Sequence, residues 1–323
     1  MKKLAITIGD PAGIGPEIVA RAVSAMSEKC LSVVIGDMSV MREAVRMIGS
    51  PLKIRTIADV NDIFHSPGVL WRYDVKALQT FVKGRPDAAN GAACVSYIKK
   101  AVELAVDGKV DAVVTAPISK EALKLGGFHW PGHTEMLAEL TKTEEFAMML
   151  TGGPLKVILV TIHTALKNVP GMVTKESVLR AVRLAGRACA MLGLKRPRIA
   201  VAGLNPHAGE SGIFGTEEIT DIMPAIVAAQ KEGIAAEGPF PPDIIFHKAY
   251  RREVDIVVCM YHDQGLIPLK MIAFDRGVNV TVGLPIIRTS PDHGTAYDIA
   301  WKGKANPSSM IEAMRLATRL KLT

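Results

Sequence analysis

The chain has 323 residues, 49% of them hydrophobic and 22% charged, with a formal net charge of +7. That size and composition fit one large or two ordinary packed domains, and they exclude a disordered or low-complexity chain. Aromatic residues make up 5% and there is no long Lys/Arg block, so neither nucleic acid nor membrane is an expected partner, and no apolar run reaches the length of a membrane span.

Residues 3–9 (KLAITIG) read as a short buried strand, DPAGIGPE as a turn, and PEIVARAVSAM as a helix with Pro16 suited to its first turn. LSVVIGD is a second strand, MSVMREAVRMIG a helix stopped by Gly49, LKIRTIA a strand and GVLWRYD a short extended segment. NGAACVSYIKKAVELAVDG is a long amphipathic helix and DAVVTAP a strand. SKEALKLGG is a helix with Ser119 as cap and Gly126 as stop. HTEMLAELT is helical, with Thr134 either its cap or an anion ligand. EEFAMMLTGG and LKVILVTIHT are strands whose pairing is open.

TKESVLRAVRLAGRACAMLG is a helix opened by an imperfect capping box, Thr174 to Ser177, and it carries much of the basic charge on a solvated face. RIAVAGL is a strand, TEEITDIMPAIVAAQKEG a helix, DIIFHKAYRREV mainly helical, DIVVCMY a strand, GVNVTVG a strand or hairpin arm, and SSMIEAMRLATRLKL a closing helix. Strands alternate with helices throughout, so the class is α/β. Cys30, Cys94, Cys189 and Cys259 lack CxxC spacing and read as packed, reduced thiols. With no secretory apolar segment at its start, the chain is expected in the cytoplasm.

Three histidines follow apolar strand-like runs: His163 after KVILVTI, His207 after RIAVAGLNP and His262 after DIVVCMY. Ligands in α/β sheets collect outside the carboxyl ends of strands, and imidazoles brought to one rim would hold a divalent ion with open positions. A buried histidine is also a common satisfied core residue, so spacing alone leaves both readings standing. Gly9–Glu17 joins a strand to a helix, where glycines allow a tight turn and the helix start favours anions. It lacks the GxGxxG pattern, so a purely structural turn is equally open. Lys270, Arg276, Asn279 and Arg288 form a polar spread. Arg288 follows an apolar stretch and calls for an anionic partner, either a ligand or an internal carboxylate.

Taken together, GDPAGIGPEI, PGHTEML, GLNPHAGESGIFGTEE, MYHDQGLIPLK, RGVNVTVGLPIIRTSPDHGTA and DIAWKGKA closely resemble the 4-hydroxythreonine-4-phosphate dehydrogenase family of pyridoxal phosphate biosynthesis, over nearly the whole chain. That family includes a branch acting on D-threonate or D-erythronate 4-phosphate and giving dihydroxyacetone phosphate. GDPAGIGPE and HGTAYDIAWKGKANP are also similar to turns of isocitrate and isopropylmalate dehydrogenases. The resemblance implies two α/β domains around a central cleft, with expected spans 1–125 plus 285–323 on the nucleotide side and 126–284 for metal, substrate and dimerisation. It also implies a homodimer whose active site lies at the subunit interface.

Carried over residue by residue, the resemblance makes His163, His207 and His262 metal ligands for zinc, magnesium, cobalt or manganese. His133, Thr134, Lys270, Asn279 and Arg288 become substrate-binding residues, with Asp243 and Asp263 as acidic positions near the site. Gly13, Gly15, His293, Gly294, Thr295, Ala296, Asp298 and Asn306 become cofactor-binding residues. A carboxylate at Asp298 suits the ribose diol of NAD and repels the 2′-phosphate of NADP. The implied reaction is metal-assisted oxidation and decarboxylation of 4-hydroxy-L-threonine 4-phosphate to 3-amino-2-oxopropyl phosphate, with Lys270 and Asp263 as proton carriers. The rival from another class is a non-enzymatic phosphate- or metal-binding protein on the same scaffold.

Overall fold

The computed structural model describes residues 1–322. In chain order the strands and helices are β1 (Lys3–Thr7), α1 (Gly15–Met26), β2 (Leu31–Ile35), α2 (Met38–Met47), β3 (Lys53–Ile57), β4 (Val69–Tyr73), α3 (Ala88–Val106), β5 (Ala112–Thr115), α4 (Lys120–Leu125) and α5 (His133–Leu140). There follow β6 (Ala147–Gly152), β7 (Leu155–Leu159), α6 (Val169–Met172), α7 (Lys175–Met191), β8 (Ile199–Ala202), α8 (Met223–Lys231), β9 (Ala236–Phe240), α9 (Pro242–Tyr250), β10 (Ile256–Cys259), α10 (His262–Ala273), β11 (Val278–Val282), β12 (Arg288–Pro291) and α11 (Ser308–Arg319). The chain divides into two compact units, Met1–Glu144 with Leu284–Leu320, and Glu145–Gly283 with Lys321–Thr323.

In the first unit the strands run β3-β4-β2-β1-β5-β12, all parallel. Parallel strands are covered on both faces, which is why β1, β2 and β5 are apolar runs with little alternation. Helix α1 begins with Pro16 in its first turn and buries Ile18, Val19, Ala22, Val23 and Met26 along one stripe. Asp87 caps α3 by accepting from the amides of Ala89 and Asn90, and Ser119 caps α4 through Ala122.

The second unit orders its strands β11-β6-β7-β10-β8-β9. β6 pairs antiparallel with both β11 and β7, whereas β7, β10, β8 and β9 are parallel. The core of this unit gathers Leu150, Leu155, Val157, Leu159, Ala200, Val257, Cys259, Leu266 and Leu269. The capping box of α7 is complete, with Thr174 accepting from the Ser177 amide and Ser177 accepting from the Thr174 amide. A serine hydroxyl can fill the third position in place of Glu or Gln.

Several sequence expectations change here. Gly132, not Thr134, is the N-cap of α5. β9, β12 and α10 were not foreseen, because β9 holds Gly238 and Pro239, β12 is a four-residue strand reading RTSP, and α10 carries Pro268 inside it. Among the described residues no helix is long and apolar enough to cross a membrane.

Candidate active site

The second unit explains why its histidines follow apolar runs. β7, β10 and β8 are parallel neighbours, so their carboxyl ends share one rim, and His163, His262 and His207 follow those ends. Gln264 ties the rim together: its Oε1 accepts from the Met260 amide at 2.7 Å and its Nε2 donates to Gly203 O at 2.8 Å. The His163 and His262 ring centroids lie 5.7 Å apart. Both line a cavity of about 590 Å³, together with Ile162, Thr164, Tyr261 and Asp263.

His262 Nδ1 sits 2.7 Å from Asp263 Oδ1. With the proton on Nδ1, that nitrogen donates to the carboxylate and Nε2 keeps the lone pair that ligates a cation. Asp263, read from sequence as a proton carrier, is thus placed to brace His262. The His207 ring lies instead 6.1 Å from that of Phe214. Among the described residues no group of three or more His, Cys, Asp or Glu side chains is gathered to hold an ion. The imidazole pair suits a divalent metal in donor chemistry, but one chain brings together two members of the trio.

The segment carrying His207 has unusual backbone. His207, Ala208, Gly209, Glu210 and Ser211 all have positive φ, between 42° and 83°. Non-glycine residues in this region are strained and persist only where the surroundings over-determine them. The buried Glu218 carboxylate supplies part of that restraint. Its Oε1 accepts from the amides of Leu204 and Asn205 at 2.8 and 2.7 Å, and its Oε2 from Asn205 Nδ2 at 2.9 Å. Glu218 and Gln264 fall within the motifs GLNPHAGESGIFGTEE and MYHDQGLIPLK, but the backbone partners that give them these roles include groups 13 to 61 positions away, which the motifs do not show.

Lys270 and Asn279 also belong to this unit. Lys270 is half-buried on α10, with Nζ 5.7 Å from the centroid of the Phe274 ring. Asn279 lies on β11, and its Oδ1 is buried without a hydrogen-bond partner among the described residues.

His133, Thr134 and Arg288 belong to the first unit. Arg288 is 2% exposed and opens β12, and its Nη2 and Nε donate to Thr115 Oγ1 at 2.7 and 3.2 Å, at the end of β5. Burial pulls the Arg288 pKa down to about 9, opposed by the carboxylate of Glu135. Burial, and then the Arg288 guanidinium, push His133 well below the usual imidazole range, so it is neutral near pH 7. Its Nε2 is buried with no partner among the described residues. Buried polar atoms left unpaired are costly, so the orphans at His133 and Asn279 mark places where a polar ligand would be stabilised.

The loop of residues 293–306 follows β12 in the same unit. His293, Gly294, Asp298 and Asn306 are exposed, and Thr295 and Ala296 half-buried. Exposed carboxylate, amide and imidazole groups on a loop after a parallel strand suit a dinucleotide. Gly13 and Gly15 face inward instead. A Cβ on Gly13 would lie 2.9 Å from Thr295, and one on Gly15 would lie 2.1 Å from Ile8 O. These glycines allow close packing of the chain on itself.

The model of the pyridoxal phosphate biosynthetic protein PdxA family matches residues 28–317. The chain belongs to that family. It is 48% identical to a 4-hydroxythreonine-4-phosphate dehydrogenase of Trichlorobacter lovleyi, over 99% of this chain and 98% of that protein. It is 45% identical to a D-threonate 4-phosphate dehydrogenase of Salmonella typhimurium, covering 99% of both. The crystal structure of 4-hydroxythreonine-4-phosphate dehydrogenase from Klebsiella pneumoniae superposes with a TM-score of 0.92 at 43% identity, over 98% of this chain and 97% of that one. This PdxA-family chain is therefore an oxidoreductase on a mixed α/β fold. Two residues of the first unit that make long-range hydrogen bonds, Thr115 to Arg288 and Tyr297 to Asp10, carry no signal along the sequence. Thr115 ends an ordinary apolar strand, and Tyr297 lies in a loop beside histidine, aspartate and lysine residues whose charges are the stronger signal.

Proposed function

We propose that this PdxA-family enzyme oxidises a phosphorylated four-carbon hydroxy acid, with NAD⁺ taking the hydride and a divalent cation assisting. The substrate of this reading is 4-hydroxy-L-threonine 4-phosphate, converted to 3-amino-2-oxopropyl phosphate and carbon dioxide. The observation that carries it is the imidazole pair of His163 and His262 on the wall of a cavity beyond the ends of parallel strands. The relatives' names support the substrate class.

His133, Thr134, Lys270, Asn279 and Arg288 bind the phosphorylated acid. The charged Arg288 answers an anionic group, and neutral His133 offers Nε2 to a hydroxyl or phosphate oxygen. Exposed Asp298 accepts from the ribose diol of NAD. When bound, the cation supplies Lewis acidity that lowers the pKa of the substrate hydroxyl and stabilises enolate charge. Lys270 takes the proton of the substrate hydroxyl, and NAD⁺, held by the 293–306 loop, would supply the two-electron acceptor needed to turn that alcohol into a β-keto acid. The bond to the carboxylate carbon then breaks, carbon dioxide departs, and the electron pair left behind takes a proton at carbon from the Lys270 ammonium formed in the first step. Asp263 holds the His262 ring in its ligating orientation.

A ligand set shared between two copies fits the failure of the trio to gather within one chain. Exposed Ile267, Met271 and Phe274 on and just after α10 offer an apolar face for such a dimer, with Met271 82% and Phe274 74% exposed. Four free, buried cysteines fit a reducing cytoplasm.

The deciding experiment measures NAD reduction with 4-hydroxy-L-threonine 4-phosphate, D-threonate 4-phosphate and D-erythronate 4-phosphate, with Zn²⁺, Co²⁺, Mn²⁺ and Mg²⁺ varied. Highest kcat/KM on the first substrate upholds the reading. Higher values on the threonate or erythronate phosphates move the chain to the sugar-acid branch. No turnover on any of them with every metal overturns dehydrogenation of this substrate class.

A further inference from the structure

The Gly9–Glu17 turn and the 293–306 loop make a run of contacts that the reaction does not itself require. Ile14 N donates to Thr295 O at 3.0 Å. Tyr297 Oη donates to Asp10 Oδ2 at 2.5 Å, and Trp301 Nε1 donates to Pro11 O at 2.9 Å. Arg21 Nη2 donates to Gly303 O at 2.9 Å, and Ala305 N donates to Glu17 Oε1 at 3.1 Å. Residues 295, 297, 301, 303 and 305 are thus anchored on the turn and on α1, while His293, Asp298 and Asn306 stay exposed.

Two non-glycine residues of the loop, Ala296 (φ 44°) and Trp301 (φ 60°), hold left-handed backbone. Such strain survives only where neighbours over-determine the conformation. Here the neighbours are the anchors on either side. The Gly13 position fits the same account, since any Cβ there would push Thr295 away.

Asp10 is the centre of the clasp. It is fully buried at the end of β1, and its Oδ1 accepts from Ala12 N at 2.8 Å while Oδ2 accepts from Tyr297. A buried carboxylate needs its hydrogen bonds, so losing the tyrosine hydroxyl leaves one oxygen short of a donor.

We infer that Tyr297 is a positioning residue for the cofactor: its hydrogen bond to Asp10 fixes the backbone that presents Asp298 and Asn306 to NAD. The inference rests on the proposed use of that loop for NAD. Preorganisation raises affinity by removing the ordering cost from the binding step. The effect falls on NAD and leaves the phosphorylated substrate and the chemical step nearly untouched.

The test compares wild type, Tyr297→Phe and Asp10→Asn. NADH binding is followed by fluorescence titration, KM for NAD⁺ and for the phosphorylated substrate are measured separately, and trypsin cleavage after Lys302 and Lys304 reports loop order. In Tyr297→Phe we expect NADH affinity to fall on the order of 10-fold, the size of one lost hydrogen bond to a charged group. kcat and the other KM should stay within about 2-fold of wild type on the same ground, and the loop should be cut faster. Asp10→Asn keeps an acceptor for the tyrosine and should show a smaller loss of NADH affinity. Wild-type binding of NADH with unchanged binding by Tyr297→Phe overturns this inference alone. A parallel loss of thermal stability and of all kinetic constants also overturns it, because the bond would then be purely structural. No NADH binding by wild type overturns the NAD reading, and this inference with it.

Discussion

The 293–306 loop of the first unit and the histidine rim of the second are built on opposite plans. In the first unit five loop residues are tied to one turn and its helix by bonds within a single chain, while His293, Asp298 and Asn306 are exposed. In the second, three adjacent parallel strands lead to three histidines at one rim: the His163 and His262 rings lie 5.7 Å apart, and His207 rides on a strained left-handed segment beside Phe214. One half of the proposed chemistry is preorganised by local contacts. The other half rests on side chains that follow separate strand ends.

The largest effects should come from breaking the rim. His163→Ala, His207→Ala and His262→Ala should each lower metal-dependent NAD reduction on the order of 100-fold or more, with loss of bound metal by equilibrium dialysis and unchanged circular dichroism. The contrast with the self-contained loop sharpens when His207→Ala and His262→Ala chains are refolded together. If the two ligands come from different copies, one site in each mixed dimer is intact, and about a quarter of wild-type activity should return. If every site lies within one chain, mixing restores nothing, and the contrast between the two units is lost.

Arg288 should give an intermediate effect. Arg288→Lys loses the fork that grips Thr115, and KM for the phosphorylated substrate should rise about 10-fold or more, since lysine is no substitute at a two-donor site. The pH dependence has a definite sign. Arg288 is cationic below its lowered pKa of about 9, so substrate binding should hold below that pH and weaken as pH rises through it. Unchanged substrate KM up to pH 10 would show that Arg288 keeps its proton when the substrate is bound.

The smallest effects should be equal in the two units, because they concern local caps. Asp87→Ala removes the cap of α3 and Thr174→Ala half the capping box of α7, and each should cost about 1 kcal/mol in urea unfolding. A cost confined to one unit would show that the difference between the regions reaches into the stability of their helices.

Much of this architecture was legible along the chain. Apolar runs ending in Gly, Asp or His marked the strands, and Pro16, Ser119 and Gly126 marked helix ends, since these signals act within a few residues. The exceptions have the same cause. β12 is four residues long with a proline at its end, β9 holds a glycine and a proline, and the helix opened by His262 carries Pro268, so local preference pointed away from each.

The sequence by itself determined the α/β class, the placing of three histidines after apolar strands and, through its long motifs, the enzyme family. Tertiary structure decided which groups meet. It set Thr115 against Arg288 across 173 positions and Asp10 against Tyr297 across 287, put β6 antiparallel to β7, and turned Gly13 toward Thr295. Local pattern specifies the dihedral preferences and the apolar face of each element. Partners distant in the chain are chosen by strand order and by packing in the core, which no short window of residues contains.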